Sequence, residues 1–165
     1  MNRIEGKISV ITGATQGLGA AVARLFAEAG AAGIVIVGRD FKKGQAKASE
    51  ITKATSVPVH MIAANLAEMA DVRGIMEQTD KLFGRIDILV NAAGVSVHHE
   101  VCDHSDEDWN LVIETNLNGP FKMTRACLPN MLANGWGRIV NIASTAANTA
   151  VSTHAAYCAS KAGLL

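Results

Sequence analysis

Three glycines near the amino terminus restrict the fold of this chain more than any other feature. They stand in the segment Gly13–Gly19, GATQGLG, between a β-branched run at Lys7–Thr12 and a stretch with apolar residues at helical spacing that ends at Gly30. A strand, a glycine loop and a helix in this order bring backbone N–H groups and the positive end of a helix to one point. That point suits a phosphate group, although a glycine turn without a ligand has the same pattern.

The remainder of the chain alternates between strand-like and helix-like segments. Short apolar runs predict strands at Gly33–Gly38, Val57–Ile62, Ile86–Val90 and Arg138–Ala143. Apolar residues three and four apart predict helices between them, and Asp40 and Ser105 supply N-cap side chains for two of these helices. Pro58 places the third strand close to a sheet edge. The alternation predicts the α/β class: a Rossmann-type doubly wound parallel sheet in three layers, α/β/α.

Composition limits the kinds of partner. The chain has 165 residues, of which 49% are hydrophobic, and 15 basic residues balance 15 acidic ones. Such a chain suits one soluble domain, residues 1–165, and its zero formal net charge argues against nucleic acid or an anionic membrane surface as the partner. No apolar run approaches ~20 residues, so no transmembrane helix is predicted. The short apolar run at the start does not fit a signal peptide.

The cysteines and histidines indicate neither a disulfide framework nor a metal site. The cysteines are odd in number, widely spaced and without a Cys-x-x-Cys pair: Cys102, Cys127 and Cys158. This pattern predicts reduced thiols, in the cytoplasm or another reducing compartment. His98, His99 and His104 share one loop, but they lack the spacing of a helical metal pair and no carboxylate cluster accompanies them. We expect these histidines to face solvent or a substrate cleft.

A serine, a tyrosine and a lysine near the end of the chain have a spacing with a chemical use. Tyr157 and Lys161 are four residues apart, so on a helix their side chains lie on one face. A lysine cation beside a phenol favours the phenolate, so Tyr157 is suited to exchange a proton with a carbonyl or alcohol oxygen near neutral pH. Ser144 follows the fifth predicted strand, where reactive groups collect in parallel sheets. A lone Tyr-x-x-x-Lys is also an ordinary helix face, so the motif gains weight only beside the glycine loop.

Arg39 bears on the choice of cofactor. It follows the second strand, 20 positions after Gly19, where a dinucleotide fold contacts the ribose of the adenosine. A carboxylate there accepts a hydrogen bond from the 2′-hydroxyl of NAD, whereas an arginine pairs with the 2′-phosphate of NADP. The strand ends with Gly38, where the carboxylate would have to stand, so NADP(H) is favoured over NAD(H). The alternative is that Arg39 is a solvated surface cation.

Two asparagines stand at special positions. Asn91 opens the segment Asn91-Ala-Ala-Gly94, where small residues admit a ligand close to the backbone and the amide can join neighbouring strand ends, so both roles are open. Asn116 lies four residues before Pro120, whose ring provides no N–H for the Asn116 carbonyl. Either the helix continues with a kink and that carbonyl is left to hold a water, or the chain breaks into two helices near Gly119.

Together these motifs resemble one family. Thr12-Gly13-x-x-x-Gly17-x-Gly19, Asn91-Ala-Ala-Gly94, Asn116, Ser144 and Tyr157-x-x-x-Lys161 match, in order and spacing, the short-chain dehydrogenase/reductase family of NAD(P)-dependent enzymes, over nearly the whole chain. The resemblance implies hydride transfer between a nicotinamide and a small-molecule carbonyl or secondary alcohol, such as a 3-oxoacyl compound or another ketone. It also implies a homo-oligomer for a full-length form.

The resemblance implies a role for each site residue. Ser144 would hold the substrate oxygen, and Tyr157 would act as general acid and base. Lys161 would bind the nicotinamide ribose and make Tyr157 easier to ionise, while Asn116 would position a water that relays protons to Lys161. Family members often carry aspartate where Asn65 stands, and an amide can exchange hydrogen bonds there instead. The implied cofactor-binding residues are Gly13, Thr15, Gln16, Gly17, Leu18, Gly19, Arg39, Asn65, Leu66, Asn91, Ala92, Ala93, Gly94, Tyr157 and Lys161.

The length departs from the family, whose members are usually much longer than 165 residues. The resemblance therefore implies a sheet lacking its last strands, together with the segment that covers the substrate and half of the helix pair that usually builds the dimer. The helix with Tyr157 would keep little more than two turns and fray at its end. The fifth strand would form an unpaired apolar edge.

Three functions are consistent with the sequence. The first is an NADP(H)-dependent oxidoreductase of which this chain is the amino-terminal part. The second is a truncated, catalytically weak nucleotide-binding fragment of such an enzyme, and the third is an unstable fragment without function. We favour the first.

Overall fold

Five parallel strands form a sheet in the part of the chain that the computed structural model describes, residues 4–165. The first three residues of the predicted 1–165 domain lie outside the described residues. The strands are β1 Ile8–Thr12, β2 Gly33–Gly38, β3 Val59–Ala63, β4 Ile88–Asn91 and β5 Arg138–Asn141. Their order across the sheet is β3-β2-β1-β4-β5, and all four pairings are parallel.

In this described part of the chain, six α-helices connect or follow the strands: α1 Gly17–Glu28, α2 Phe41–Thr55, α3 Met69–Phe83, α4 Asp106–Ile113, α5 Gly119–Ala133 and α6 Ala155–Ala162. The predicted caps are confirmed, since the Asp40 side chain accepts from the Lys43 N–H and the Ser105 hydroxyl accepts from the Asp108 N–H. Helix α6 has eight residues, which is about two turns, as expected.

The core consists of two apolar clusters, one on each face of the sheet. Side chains alternate along β2, so Val35 and Val37 join one cluster while Ile34 and Ile36 join the other. Residues of α3 and α5 complete the first cluster, and residues of α1 and α2 complete the second. Helices therefore cover both faces of the parallel sheet, which confirms the predicted three-layer α/β/α architecture.

The ends of four strands differ from the prediction by up to two residues. Strand β1 begins at Ile8, one residue later than predicted. Strand β3 begins at Val59 because the Val57 N–H bonds to the Thr55 hydroxyl at 3.3 Å and Pro58 has no N–H. Strand β4 begins at Ile88 because the Ile86 N–H bonds to the Asn130 side chain at 2.8 Å. Strand β5 ends at Asn141, two residues early. The two sheet edges are β3, as Pro58 predicted, and β5.

Candidate active site

The strand order reverses at β1, which pairs with β2 on one side and with β4 on the other. In open parallel sheets a crevice forms at such a point, beyond the carboxyl ends of the strands. A cavity of about 300 Å³ lies there. Most of the predicted cofactor-binding residues line it: Gly13, Thr15, Gln16, Gly17, Leu18, Gly19, Arg39, Asn65, Leu66, Ala92, Ala93 and Gly94.

The glycine loop is packed so tightly that two of its glycines have no room for a side chain. Gly13 has a φ of +66°, and a Cβ there would lie 2.6 Å from the Cα of Ala93. A Cβ on Gly19 would lie 2.6 Å from the Gly13 carbonyl oxygen. The loop thus holds β1, α1 and the end of β4 in close contact, and it leaves the first N–H groups of α1 directed away from any acceptor in their own helix.

Thr12, the last residue of β1, ties the glycine loop to the end of β4. Its hydroxyl accepts from the N–H of Ala92 at 3.1 Å and from that of Ala93 at 3.2 Å. The side chain is 1% exposed. The sequence places Thr12 in the motif without indicating its role, because its partners lie about 80 residues away and the strand order is needed to bring them together.

Arg39 lies at the mouth of this cavity with an exposed guanidinium. Among residues 4–165 the guanidinium has no hydrogen-bond or ion-pair partner, so it is free to bind an anion. Gly38 precedes it, and a Cβ on Gly38 would lie 2.6 Å from the Thr15 methyl group. A carboxylate therefore has no room at the end of β2 unless Thr15 moves. Asp40 is engaged as the cap of α2.

A second cation, Lys43, contacts a residue that lines this cavity. The Lys43 ammonium, on the first turn of α2, donates a hydrogen bond to the side-chain oxygen of Gln16. Gln16 lines the same cavity as Arg39. The sequence does not indicate a role for Lys43, because a lysine on an exposed helix turn has no distinguishing pattern.

Asn65 and Leu66 reach the cavity in different ways. Asn65 lines the cavity, and its side-chain oxygen accepts from the Ala67 N–H at 3.2 Å, so among residues 4–165 its amide nitrogen is left as a donor without a partner. The Leu66 side chain is 6% exposed and packs into the core cluster of α3 and α5. Leu66 therefore borders the cavity mainly as part of its floor.

The helix around Pro120 runs on without a break. Residues Glu114–Asn118 form a π turn between α4 and α5, in which the Gly119 N–H reaches back five residues to the Glu114 carbonyl. The extra residue in this turn places Pro120 in the first turn of α5, where a missing N–H costs little. The structure thus favours the continuous helix of the two alternatives, with a π turn as its irregularity.

Asn116 lies in this π turn and is fully buried. Its side-chain oxygen accepts from the Val95 N–H and its amide donates to the Val95 carbonyl, each at 2.8 Å. The amide also donates to the Ser160 hydroxyl at 3.1 Å. The Asn116 side chain therefore joins the π turn to the loop after β4 and to α6, a contact that the sequence did not predict.

Tyr157 and Lys161 line a second cavity, of about 480 Å³, that also borders Ile142, Ala143, His98 and His154. The Lys161 ammonium lies 5.7 Å from the centre of the Tyr157 ring and donates to the Ile142 carbonyl at 2.7 Å. The lysine is 5% exposed, and burial lowers the pKa of its ammonium below the ordinary value. As predicted from their spacing, the two side chains share one face of α6.

Ser144 lies one residue beyond the second cavity, whose lining includes Ala143. The Ser144 hydroxyl accepts from the Ala146 N–H at 3.2 Å and so begins a short 3₁₀ turn, Thr145–Ala147. The structure brings Tyr157, Lys161 and Asn116 together around the loop after β4, and it places Ser144 at the margin of that group.

Asn91 acts in the packing of the sheet. Its amide donates to the side-chain oxygen of Asn141 at 2.9 Å, and the two residues are opposite each other in β4 and β5. Asn91 is 1% exposed and does not line either cavity. The prediction that its amide joins neighbouring strand ends is therefore confirmed.

The loop histidines divide into different environments. His98 lines the second cavity and His99 is exposed, with its ring 3.6 Å from the Asp108 carboxylate, as expected for a loop that faces solvent or a cleft. The expectation was wrong for His104, whose two ring nitrogens are buried without a hydrogen-bond partner because the ring packs edge-on against Trp109. Among residues 4–165 no group of three metal-ligating side chains occurs.

The profile of the short chain dehydrogenase family matches residues 7–165. The chain belongs to this family. A D-threitol dehydrogenase of Mycolicibacterium smegmatis is 39% identical over 99% of the chain, and a 3-oxoacyl-(acyl-carrier-protein) reductase of Aquifex aeolicus is 36% identical over 99%. The crystal structure of a metagenomic short-chain oxidoreductase in complex with NADP is similar, with a TM-score of 0.92 and 35% identity over 98% of the chain.

The chain is shorter than these relatives. It spans 62% of the D-threitol dehydrogenase, 65% of the reductase and 72% of the metagenomic oxidoreductase. Short-chain dehydrogenases bind NAD(P) and act on small-molecule substrates. Within the described part of the chain, no helix has the length and apolar character that spanning a membrane requires.

Proposed function

We propose that this chain supplies the nucleotide site and the acid–base residues of an NADP(H)-dependent oxidoreductase that interconverts a carbonyl group and a secondary alcohol. The observation that carries the proposal is that the two cavities share Leu18, Ala92, Gly94 and Val95. The glycine loop and Arg39 therefore open into the same cleft as Tyr157 and Lys161. A dinucleotide lying along this cleft would reach from Arg39 to Tyr157.

The residues present fit such a dinucleotide. The N–H groups at the start of α1 would hold the pyrophosphate, because the helix dipole favours negative charge at this end. Arg39 would pair with the 2′-phosphate of the adenosine ribose, and the free amide nitrogen of Asn65 would donate to the adenine. The relative whose crystal structure contains NADP supports a phosphorylated dinucleotide for this chain as well.

The acid–base chemistry would fall to α6 and the strand ends beside it. The nicotinamide, when bound, carries the hydride. Tyr157 would hold the proton that the substrate oxygen gains or loses, and Ser144 would orient that oxygen. Lys161 would hold the nicotinamide ribose with its ammonium, which the Ile142 carbonyl already fixes in place. The Asn116 carbonyl, in the π turn before Pro120, would position a water toward Lys161.

The cofactor preference can be tested by nucleotide binding alone. Arg39→Ala should weaken NADPH binding about 10- to 100-fold, the value of a charge-assisted contact to phosphate, while NADH binding changes less than about twofold. The matched control is Arg24→Ala, because Arg24 is exposed on α1 and pairs with Glu28 at 2.9 Å. Fluorescence titration of both nucleotides gives the dissociation constants. Equal losses for NADPH and NADH would show that Arg39 does not read the phosphate.

The reaction can be tested with NADPH consumption on a panel of ketones and 3-oxoacyl esters. The assay should use the 165-residue chain and any longer form encoded by the same reading frame. Tyr157→Phe should abolish turnover and leave the dissociation constant of NADPH unchanged, because the phenol oxygen acts on the substrate. Binding of NADPH without turnover of any substrate by the longer form would refute the proposed reaction.

A nucleotide-binding role with weak catalysis is the second candidate. It is supported by the Ser144 hydroxyl, which is engaged with the Ala146 N–H at the margin of the second cavity. In this case Tyr157→Phe would change neither NADPH affinity nor any measured rate. Turnover by the 165-residue chain that depends on Tyr157 would rule the candidate out.

We further propose that residues 1–165 form one nucleotide-binding domain, that the protein works in the cytoplasm or another reducing compartment, and that a longer form is a homo-oligomer. The compartment follows from the three cysteines, all of which are free thiols. Limited proteolysis would test the domain, since one domain should resist cleavage as a unit.

A further inference from the structure

We infer that His98 and His154 select substrates that carry a second oxygen group close to the reacting carbonyl. The two imidazoles lie against each other in the lining of the second cavity, beside Tyr157. The inference rests on the proposed function, because it assigns the substrate class of the same cleft.

The two histidines form one wall of the cavity. Their ring centres are 4.0 Å apart with an angle of 34° between the planes. The ring of His154 also packs edge-on against that of Tyr157, with centres 6.2 Å apart. A substrate whose carbonyl oxygen meets the Tyr157 hydroxyl would therefore place its next carbons against the imidazoles.

The chain holds this wall in place by a contact between two loops. The His99 N–H donates to the Thr153 carbonyl at 3.1 Å, which joins the loop after β4 to the loop before α6. Thr153 has a φ of +64°, a strained conformation for a β-branched residue. Strained backbone of this kind persists where the surrounding structure requires it, often at sites of function. Here it sets the direction in which His154 enters the cavity.

The hydrogen bonds of the two rings show what they offer a substrate. The Nδ1 atom of His154 lies 2.7 Å from the Ser152 carbonyl, which can only accept, so Nδ1 carries the proton. The Nε2 atom has no partner among residues 4–165 and, on the neutral ring, is an acceptor for a substrate hydroxyl. The Nε2 atom of His98 lies 3.0 Å from the Ser96 hydroxyl, which adds a further polar group to the same cavity.

The charges of the cavity favour an oxygen group over an alkyl group. Of the described residues, 4–165, Lys161 is the cation that lines it, and no carboxylate does. An alkyl chain against His154 would leave Nε2 without a hydrogen bond and remove water from it, which disfavours binding. A hydroxyl would replace that water by donating to Nε2. A carboxylate can only accept, so it would instead take hydrogen bonds from the Ser96 hydroxyl or the Lys161 ammonium of the same cavity. Experiment can separate the two oxygen groups.

Two pairs of ketones with equal numbers of heavy atoms test the inference. Hydroxyacetone is compared with butan-2-one for the hydroxyl, and acetoacetate with 4-methylpentan-2-one for the carboxylate. We expect kcat/KM to favour the oxygenated member of at least one pair by about 10- to 100-fold. A preference confined to the first pair identifies a neutral hydroxyketone, and one confined to the second identifies an oxo acid.

Three variants assign any preference to the wall. His154→Phe and His98→Phe keep a flat ring but remove its nitrogens, so each should lower the preference to a few-fold. His154→Gln, whose amide reaches the position of Nε2, should retain more of the preference than His154→Asn. His99→Phe is the matched control, because the side chain of His99 does not line the cavity and its backbone N–H is retained.

A binding measurement decides the matter independently of turnover. In ring-proton NMR spectra of the chain with NADP⁺, the oxygenated member of a pair should shift the resonances of His98 and His154 at lower concentration than its partner. If ketones are reduced but the ratio of kcat/KM within each pair stays within twofold of one, in the native chain and in every variant, the inference is wrong and the proposed function stands. If no ketone is reduced, the proposed reaction fails, and equal NMR titrations within each pair overturn the inference as well.

Discussion

Replacing Asn116 by leucine should destabilise the fold by about 2 to 3 kcal/mol, because it removes hydrogen bonds without leaving a cavity. Asn116 is 0% exposed, and leucine has a similar volume. The change leaves the Val95 N–H and the Val95 carbonyl without their side-chain partner, which lies at 2.8 Å from each in the native chain. A buried polar group left without a partner costs about 1 to 3 kcal/mol, and Val95 is only partly buried, so the lower part of that range applies to each.

Urea unfolding followed by circular dichroism measures the loss, and two variants calibrate it. Asn110→Leu places the same change on an exposed position of α4, where no side-chain hydrogen bond is lost, and should cost less than about 0.5 kcal/mol. Ser160→Ala removes two hydrogen bonds of the Ser160 hydroxyl: the 3.1 Å bond from the Asn116 amide and the bond to the Tyr157 carbonyl. It leaves both bonds between Asn116 and Val95 in place. Its cost should be about 1 kcal/mol, between those of the other two.

If the loss of unfolding free energy for Asn116→Leu is within about 0.5 kcal/mol of that for Asn110→Leu, this reasoning is refuted. Surface substitutions commonly change the free energy of unfolding by up to about 0.5 kcal/mol. The Asn116 side chain would then not join the π turn to the loop after β4. The result also bears on catalysis. If the loss is as large as expected, a lower rate in a variant of Asn116 reports a displaced loop as well as any missing proton relay.

Three further predictions concern other parts of the chain. Burial lowers the pKa of the Lys161 ammonium in the native chain below the 10.5 of the unfolded chain. Between these two pKa values the unfolded chain binds more protons, so the native chain gains stability as pH rises. Lys161→Met should lack this gain in urea unfolding from pH 7 to 10, and parallel pH profiles of the variant and the native chain would contradict the prediction. Iodoacetamide at pH 8 should label exposed Cys102 and not Cys127, because burial raises the pKa of the Cys127 thiol to about 12. Equal labelling of the two cysteines, measured by mass spectrometry, would contradict the burial of Cys127. Thr12→Val keeps the shape of the side chain but loses the acceptor for two backbone N–H groups after β4. It should lower the free energy of unfolding in urea by about 1 to 3 kcal/mol and weaken NADPH binding. An unchanged free energy of unfolding together with an unchanged NADPH affinity would contradict the role of Thr12.

The parts of the site that the sequence predicts are those whose chemistry depends on local spacing. The glycine loop was found because a strand, three glycines and a helix follow one another directly. Tyr157 and Lys161 were found because four residues make about one helical turn. The bounds of β2 were predicted without error, since glycine stands at both of its ends.

The parts that the sequence does not predict depend on contacts between distant segments. The Thr12 hydroxyl has its partners 80 and 81 residues away, and only the placement of β1 beside β4 brings them within reach. The sequence predicts a kink or a break near Pro120 and not a π turn, because a proline indicates that a helix is irregular without indicating which irregularity forms. His154 had a local signal, three residues before Tyr157 on the same side of a helix, yet its stacking on His98 requires the contact between two loops.

The loop after β4 joins the glycine loop to α6. Ala92 and Ala93 are held by Thr12 on the side of the glycine loop, while Val95 is held by Asn116 on the side of α6. Gly94 lies between these two anchors, and a Cβ there would stand 3.5 Å from the Asn116 side-chain oxygen and 3.7 Å from the Lys161 ammonium. Both anchors fix backbone groups, so a shift at one end of this short loop is passed to the other through planar peptide bonds. In the proposed function, the position of a dinucleotide and the position of the lysine ammonium would therefore depend on the same four residues, Ala92, Ala93, Gly94 and Val95.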